Sequence, residues 1–434
     1  MRYLGIGDVC DLGDMYYRLQ RDGHEVKVHI ATPEARDIYR GLLETVLDWR
    51  NELPWIKEAG KDGIILFESA GMGKIQDELR QAGYQVIGGS GYGDRLESDR
   101  HYGQQICAEI GLQTANSHHF TSYATAIEFL KQHPARYVFK LNGSAALRTR
   151  NYIGKLEDGS DILALLSVYE NQQQNSPLES IDFVLMDHID GIEVGVGAYF
   201  NGQHFLTPAC MDWEHKRFFA GAQGELTGEM GTVVTFDHSE ILFQKTLARL
   251  EDLLSQNGYC GYININLIAN EHGLWPLEFT SRFGYPGFAI CGDLQMDDWT
   301  DLFKKLLTKS DLKLDTKRGF ATGIVLTIPP FPYSYGYELI SKGLPILLNG
   351  ISKEEHQHLH FAEVALVNEQ LVTSGMFGYI GVANGLGDTP EISREKAYAL
   401  ADKVIIPNIR YRNDIGDRVI NSDYAGLKAL GYIA

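Results

Sequence analysis

Short apolar runs recur along the first ninety residues at Tyr3–Ile6, Val26–Ile30 and Ile64–Phe67, separated by stretches of helical period at Met15–Arg21 and Arg36–Trp49. A further helix over Lys74–Gly83 leads to a strand at Tyr84–Gly88. Strands that alternate with helices predict a parallel sheet with crossover connections. A helix around Asp94–Ile110 follows, and from about His118 to Gly202 the pattern changes. Tyr137–Lys140, Tyr152–Lys155 and Phe183–Met186 read as short strands, the first two flanking the loop Leu141–Asn151, which predicts a small α+β module with a flexible glycine-containing loop. Helices are expected at Ser239–Gln256 and Trp299–Thr308. Phe320–Ile328, Val364–Val367 and Met376–Val382 are expected as strands and Ser393–Ile406 as a helix.

The clearest pattern is a hairpin. Apolar and polar residues alternate from Tyr262 to Ile268, break at Asn270-Glu271-His272-Gly273, and resume through Leu274 to Phe279. Glu278, Thr280 and Arg282 follow at a two-residue spacing and should share one face. A carboxylate, a hydroxyl and a guanidinium in line at the mouth of a sheet suit a hard metal ion and the oxygens of a phosphate or carboxylate. Taken alone, the triplet is more readily a half-solvated strand with a surface ion pair, and the rest of the chain reverses that. The first strand-to-helix turn, Gly5 to Asp14, carries Asp8, Asp11 and Asp14 and is not a dinucleotide fingerprint, because three aspartates would repel a pyrophosphate. Those aspartates fit a solvated, capped loop and a site equally well.

Composition narrows the class. A chain of 434 residues, 44% hydrophobic and 22% charged, is long enough for two or three domains with a large core. A formal net charge of −18 opposes non-specific binding to nucleic acid, so an anionic substrate must meet a local cluster of cations. Such a cluster stands at His215-Lys216-Arg217, before the glycine-containing loop Phe218–Gly231, whose composition favours mobility. Five scattered cysteines without ligand spacing, no apolar run of membrane length and an N-terminus that opens directly into a strand point to a reduced, cytoplasmic protein that does not engage a membrane. The polar run Asn171–Ser176 is expected as a loop, and the lysine-rich Lys309–Arg318 as a connection between domains.

In this order the parts resemble an ATP-grasp ligase, and more closely the glycinamide ribonucleotide synthetase family, over nearly the whole chain. Ile87–Ser90 through Asp99-Arg100 resembles the entry to the ATP domain, and Tyr137-Val138-Phe139-Lys140 the strand whose lysine holds the α- and β-phosphates. Met186 to Glu193 resembles the adenine hinge. His215-Lys216-Arg217 with Thr227-Gly228-Glu229-Met230-Gly231, Glu278-Phe279-Thr280-Ser281-Arg282-Phe283-Gly284, and Arg412-Asn413-Asp414-Ile415-Gly416 resemble three further family motifs. The resemblance implies an α/β fold: a parallel-sheet domain over 1–95, an ATP-grasp domain over 96–310 with a lid at about 118–202, and an α+β domain over 319–434. It implies ATP and Mg²⁺, or Mn²⁺, as cofactors. The nucleotide would be bound by Arg100, Lys140, the backbone of Met186 and Ile189, and Glu193, and the metal by Glu278 with Thr280 or Asn266. Lys216 would hold phosphate, and Arg282 would orient a carboxylate.

Two departures fall in the N-terminal domain. The family's glycine-rich turn for phosphoribosylamine is replaced by Gly7-Asp8-Val9-Cys10-Asp11-Leu12, and its Gly-Pro-Glu-x-Pro loop by Phe67–Gly73. Asn266 stands where many ATP-grasp enzymes carry an acidic ligand, Thr280 replaces an asparagine, and Arg148 or Arg150 stands in for a lysine. The expected activity is amide formation between glycine or another amino acid and an amine, through an acyl phosphate, by a monomer or homodimer. The alternatives are authentic phosphoribosylamine–glycine ligation and a nucleotide-binding pseudoenzyme with a degraded metal site.

Overall fold

The computed structural model describes residues 1–141, 151–175, 181–309 and 312–434, so Arg148, Arg150 and most of the Leu141–Asn151 loop lie outside the described residues. The N-terminal region is a five-stranded parallel sheet of β1 (Arg2–Gly7), β2 (Glu25–Ile30), β3 (Glu44–Val46), β4 (Gly63–Phe67) and β5 (Gln85–Ile87), in the order β3-β2-β1-β4-β5. Alternate residues of one strand enter different cores: Leu4, Ile6, Ile65 and Phe67 pack with Trp49 and Leu79, while Tyr3, Val28, Ile64 and Leu66 pack with Met15, Tyr16 and Leu19. Burial on both faces is what a parallel sheet with crossover helices requires.

The expected helix over Arg36–Trp49 does not form. A 3₁₀ turn occupies Pro33–Ala35, β3 occupies Glu44–Val46, and a second 3₁₀ turn spans Trp49–Glu52. Tertiary bonds override the local period, because the Tyr39 amide donates to the Val364 carbonyl and its hydroxyl to the Phe361 carbonyl. Gly41 then turns at φ +80°, where a Cβ would stand 2.6 Å from the Leu366 carbonyl oxygen. Two other long helices are broken. Asp99 caps the Tyr102 amide and divides Gly91–Ser98 from Arg100–Glu109, and Thr246 (φ −125°, ψ −98°) interrupts the Ser239–Gln256 stretch.

The middle of the chain forms a four-stranded antiparallel sheet of β6 (Ser117–Phe120), β7 (Tyr137–Leu141), β8 (Tyr152–Ile153) and β9 (Phe183–Asp187), in the order β6-β9-β7-β8. The helices Tyr123–Gln132 and Ser160–Asn175 accompany it, with Ile127, Phe139, Ile162, Leu166 and Phe183 in a common core. The second helix takes up Asn171–Asn175, where a loop is expected from the polar run.

An eight-stranded antiparallel sheet organises the rest. Along the chain its members are β10 (Ile192–Phe200), β11 (Cys210–Glu214), β14 (Gly231–Thr235), β15 (Gly261–Asn270), β16 (Gly273–Thr280), β17 (Phe320–Thr327), β19 (Leu359–Phe361) and β22 (Tyr379–Gly387). Its order is β16-β15-β10-β11-β14-β17-β22-β19, so strands from beyond residue 319 continue the sheet that begins with the hairpin. Small pairs complete the chain: β12 (Arg217–Phe219) with β13 (Gln223–Leu226), β18 (Leu347–Leu348) with β23 (Val404–Ile405), and β20 (Val364–Val367) with β21 (Gln370–Thr373). The segment after Phe218 is therefore a short hairpin where an open loop was expected. Among the described residues no helix is long and apolar enough to cross a membrane.

Candidate functional site

Strand alternation builds the site. On the back of the large sheet, Val194, Val196, Met211, Trp213, Ile263, Ile265, Leu267 and Phe279 share one core. Their neighbours in the strands therefore face forward: Glu193, Gly195 and Gly197 on β10, Asp212 and Glu214 on β11, Asn264 and Asn266 on β15, and Glu278 and Thr280 on β16. Register brings them together, with Asn266 opposite both Gly195 and Glu278, and Asn264 opposite Thr280. Gly195 leaves the floor open for its neighbour, since a Cβ there would stand 2.1 Å from Asp212 Oδ1.

Lys216 is the hub. Its Nζ lies 2.7 Å from Glu278 Oε1, 3.1 Å from Glu214 Oε2 and 3.9 Å from Glu193 Oε1. Burial works against the ammonium, but the three carboxylates outweigh it and hold its pKa well above the usual lysine value. In return, Lys216, with Lys140 and Arg100 behind it, lowers the Glu278 carboxyl to about 2. Lys140 reaches the same group from β7. Burial and the neighbouring Arg100 lower its pKa to about 8, partly offset by Glu278 and Glu193. The expected residues Arg100, Lys140, Glu193, Lys216, Glu278, Thr280 and Asn266 thus come from the helix Arg100–Glu109, four strands and the turn between β11 and β12 to one place.

Two expected contacts stand elsewhere. Arg282 lies beyond the end of β16 and turns away from Glu278: its Nε is 3.3 Å from Glu97 Oε1, and its charge opposes the rise that burial imposes on the carboxyl of Asp11 in the N-terminal turn. It therefore faces the N-terminal domain instead of sharing the Glu278 face. Met186 sits inside the small sheet, opposite Ser117 on one side and Val138 on the other, whereas Ile189 follows the last ladder contact, His188 N to the Arg136 carbonyl. A cleft of about 580 Å³, lined by His188, Ile189, Gly191, Ala269, Asn270 and Trp275, runs beside this hinge.

The C-terminal motif positions Lys216. Arg412, buried, donates to both oxygens of Asp414 at 2.7 Å and to the Arg217 carbonyl at 2.8 Å. Asp414 in turn accepts from the Gly221 amide at 2.8 Å, and the Gly416 amide donates to His215 Nε2 at 3.3 Å. From the other side, both the amide and the hydroxyl of Thr227 donate to the Lys216 carbonyl at 2.8 Å.

Several side chains of the cluster carry no clear signal in the sequence. Glu214 accepts from Asn266 Nδ2 at 3.0 Å as well as from Lys216, which places a carboxylate beside the asparagine that replaces an acidic ligand. Asp212 accepts from Asn264 Nδ2 at 2.6 Å, and its other oxygen is buried without a partner among the described residues. Glu229, also buried, has one oxygen without a partner among them, and burial with Glu214 and Asp212 pushes its pKa well up. The sequence signal was the odd identity of Glu229 inside Thr227-Gly228-Glu229-Met230-Gly231; for Glu214, it was adjacency to His215-Lys216-Arg217.

Among the described residues no three His, Cys, Asp or Glu side chains form a metal cage of their own. Magnesium does not need one, since it is commonly held by one or two carboxylates together with substrate phosphates. The place where the Lys216 ammonium meets three carboxylates shows oxygen donors already converging on positive charge, so the residues fit such an ion.

A parallel N-terminal sheet, a small antiparallel module bearing a lysine, and a large antiparallel sheet bearing the Lys216–Glu278 cluster define an ATP-grasp fold. Residues 98–288 match the family described as phosphoribosylglycinamide synthetase, ATP-grasp (A) domain. The chain resembles phosphoribosylamine–glycine ligases. It is 26% identical to that of Listeria innocua over 353 residues, covering 79% of this chain and 81% of the relative, and 26% identical to that of Neisseria meningitidis over 363 residues, covering 80% and 82%. Among solved structures, the phosphoribosylamine–glycine ligase of Thermotoga maritima superposes with a TM-score of 0.70 at 22% identity, covering 96% of this chain and all of that one. A Campylobacter jejuni biotin carboxylase bound to β,γ-ATP gives 0.63 at 11% identity, covering 98% and 96%.

Proposed function

We propose that the protein is an ATP-dependent carboxylate–amine ligase, in which an amino acid, glycine or another, is activated as an acyl phosphate and captured by an amine to give an amide, ADP and phosphate. The observation that carries this reading is the Lys216 ammonium within 2.7 Å of Glu278 and 3.1 Å of Glu214, with Lys140 and Arg100 acting on the same carboxylate. Such a reaction must neutralise a triphosphate and a carboxylate in one pocket, and positioning and charge do most of the work. Lys140 and Lys216 hold phosphate oxygens, Arg100 adds charge behind them, and Glu193 and the Ile189 backbone meet the nucleoside. Glu278, with Thr280 or Asn266 and with Glu214 beside them, would hold Mg²⁺, whose charge would offset that of the phosphates. Arg282, between Glu97 and Asp11, meets the amino-acid carboxylate at the boundary of the N-terminal domain.

The second reading is phosphoribosylamine–glycine ligation itself, which similarity to enzymes of that name favours. An ADP-release assay across amino acids and amines, with product identification by mass, separates the two. ADP formed with glycine and an amine supports ligation, and Mg-ATP binding without turnover on any pair points to a pseudoenzyme.

A further inference from the structure

The order β3-β2-β1-β4-β5 means that the N-terminal sheet reverses its direction of growth between β1 and β4. Open parallel sheets bind ligands in the crevice beyond the carboxyl ends of the strands at such a point. Two acids stand there. Glu68 directly follows β4 and is 1% exposed, yet neither of its carboxylate oxygens has a hydrogen-bond partner among the described residues. It lies against the end of β1, so that a Cβ on Gly7 would stand 2.4 Å from Glu68 Oε2. Asp11, in the turn after β1, is the charge that acts most on it. Burial and Asp11 together raise the Glu68 carboxyl to about 8, only partly offset by the Tyr16 hydroxyl and the amides of Leu12 and Asp11, which approach it without reaching hydrogen-bond geometry.

The crevice is continuous in charge with the reaction centre. Arg282, four residues beyond Glu278, acts on Asp11. The hydroxyls of Tyr285 and Tyr379, on rings 4.8 Å apart, are both raised by burial and then by a set of neighbours that includes Asp11 from one side and Glu229 from the other. A buried carboxyl without a partner is costly, and that cost falls if a cation pairs with it. An ammonium placed here draws the proton off Glu68 and pairs with the carboxylate, whereas a phosphate would make both acids harder still to ionise. The chemistry of capture adds a constraint. The nitrogen that attacks an acyl phosphate must present a lone pair and is therefore neutral, so a positive charge read by Glu68 and Asp11 belongs to a second group on the same molecule.

Resting on the ligase reading above, we propose that the amine acceptor is a phosphate-free diamine whose distal ammonium is held by Glu68 and Asp11 at the β1/β4 switch point. The near amine forms the C–N bond to the acyl carbon, the acyl C–O bond to phosphate breaks, inorganic phosphate leaves with the bonding electrons, and the amine's proton passes to solvent.

The test is calorimetric titration of the full chain with 1,4-diaminobutane, in parallel with ribose 5-phosphate and inorganic phosphate. Saturable diamine binding that weakens at least 10-fold in Glu68→Gln and in Asp11→Asn, and that neither phosphate compound displaces, supports the proposal. Undiminished affinity in both variants overturns it, as does tight ribose 5-phosphate binding that excludes the diamine. Asp11 lies on a half-buried turn, so Asp11→Asn carries the test if Glu68→Gln does not fold. A second arm supplies Mg-ATP and glycine with either the diamine or phosphoribosylamine and identifies the amide by mass. Product from phosphoribosylamine alone overturns the proposal and leaves the ligase reading intact. Glu68-dependent diamine binding with no amide from any amine supports the cation site and counts against the ligase reading.

Discussion

Lys140 is held at a depressed pKa of about 8 by burial and by Arg100, with no ion pair among the described residues, and it faces the pocket that also holds Lys216 and Glu278. An anion bound there would restore its charge. Lys140→Met should therefore weaken ATP binding by about 1.5 to 3 kcal/mol, the range for charge-assisted hydrogen bonds. ATP affinity of the unmodified protein should fall as pH rises past about 8, because the neutral amine no longer attracts phosphate. Titrations at pH 7 and pH 9 check both, and the pH dependence should flatten in the variant. Glu278→Gln removes the nearest partner of Lys216 and the carboxylate proposed to face the metal; ADP release should drop on the order of 10² to 10³-fold with the far-UV spectrum unchanged, and near-normal turnover at saturating Mg²⁺ would remove Glu278 from the site. Lys216 and Glu278 were legible because each sits in a local motif. Glu214, Asp212 and Asn264 were not, because their roles arise from cross-strand register: β10 lies between β11 and β15, and only that pairing brings Glu214 within 3.0 Å of Asn266.

The elements that hold Lys216 are the β12–β13 hairpin and the strap Arg412–Gly416. Arg412 makes two bonds to Asp414 and one to the Arg217 carbonyl in a buried setting. Breaking a buried pair by removing one partner typically costs about 3 to 5 kcal/mol, and the partly exposed Asp414 places this one toward the low end. Arg412→Met should accordingly lower stability by roughly 3 kcal/mol in chemical denaturation. It should also lower kcat for ADP release more than it raises KM for ATP, since Lys216 immediately precedes the displaced β12; an unchanged kcat would make the strap a purely structural clamp. At this scale the sequence was uneven. Alternation from Tyr262 onward gave the β15–β16 hairpin closely, because a half-buried strand must alternate. The Arg36–Trp49 period misled, because Tyr39 spends its amide and hydroxyl on the Val364 and Phe361 carbonyls more than 300 residues away. A distant strand leaves no trace in a local window.

Across the molecule, one buried network ties the three regions together and should give stability a marked pH dependence. Asp14, from the helix after β1, accepts from Arg18 Nε at 2.5 Å and from His360 Nδ1 on β19 at 2.7 Å. The other ring nitrogen of His360 lies 3.2 Å from Asp293 Oδ2, which also meets His358 Nδ1 at 3.0 Å and Asn384 Nδ2 at 2.9 Å. The first-turn aspartate with an open role is thus structural. Burial and Arg18 push the His360 pKa down, but Asp293 and Asp14 outweigh them and raise it. Despite burial, Asp14 is lowered by Arg18 and His360, and Asp293 by His360 and His358. A raised histidine contributes stability that is fully present below its unfolded pKa of about 6.5 and is lost as pH rises through the folded value. A lowered aspartate contributes stability present above about 3.9 and lost as pH falls through its folded value. The network therefore stabilises most between about pH 4 and 6.5. Other buried acids, Glu68 and Glu363, are raised and also favour the lower part of this range, so the contribution of His360 must be isolated by difference. His360→Gln should be less stable than the unmodified protein at pH 5.5, and the gap should narrow steadily by pH 8.5 as the native imidazole loses its proton between two carboxylates. Chemical denaturation of both proteins across that range is the measurement, and a gap that stays constant with pH would mean that His360 is neutral in the folded state.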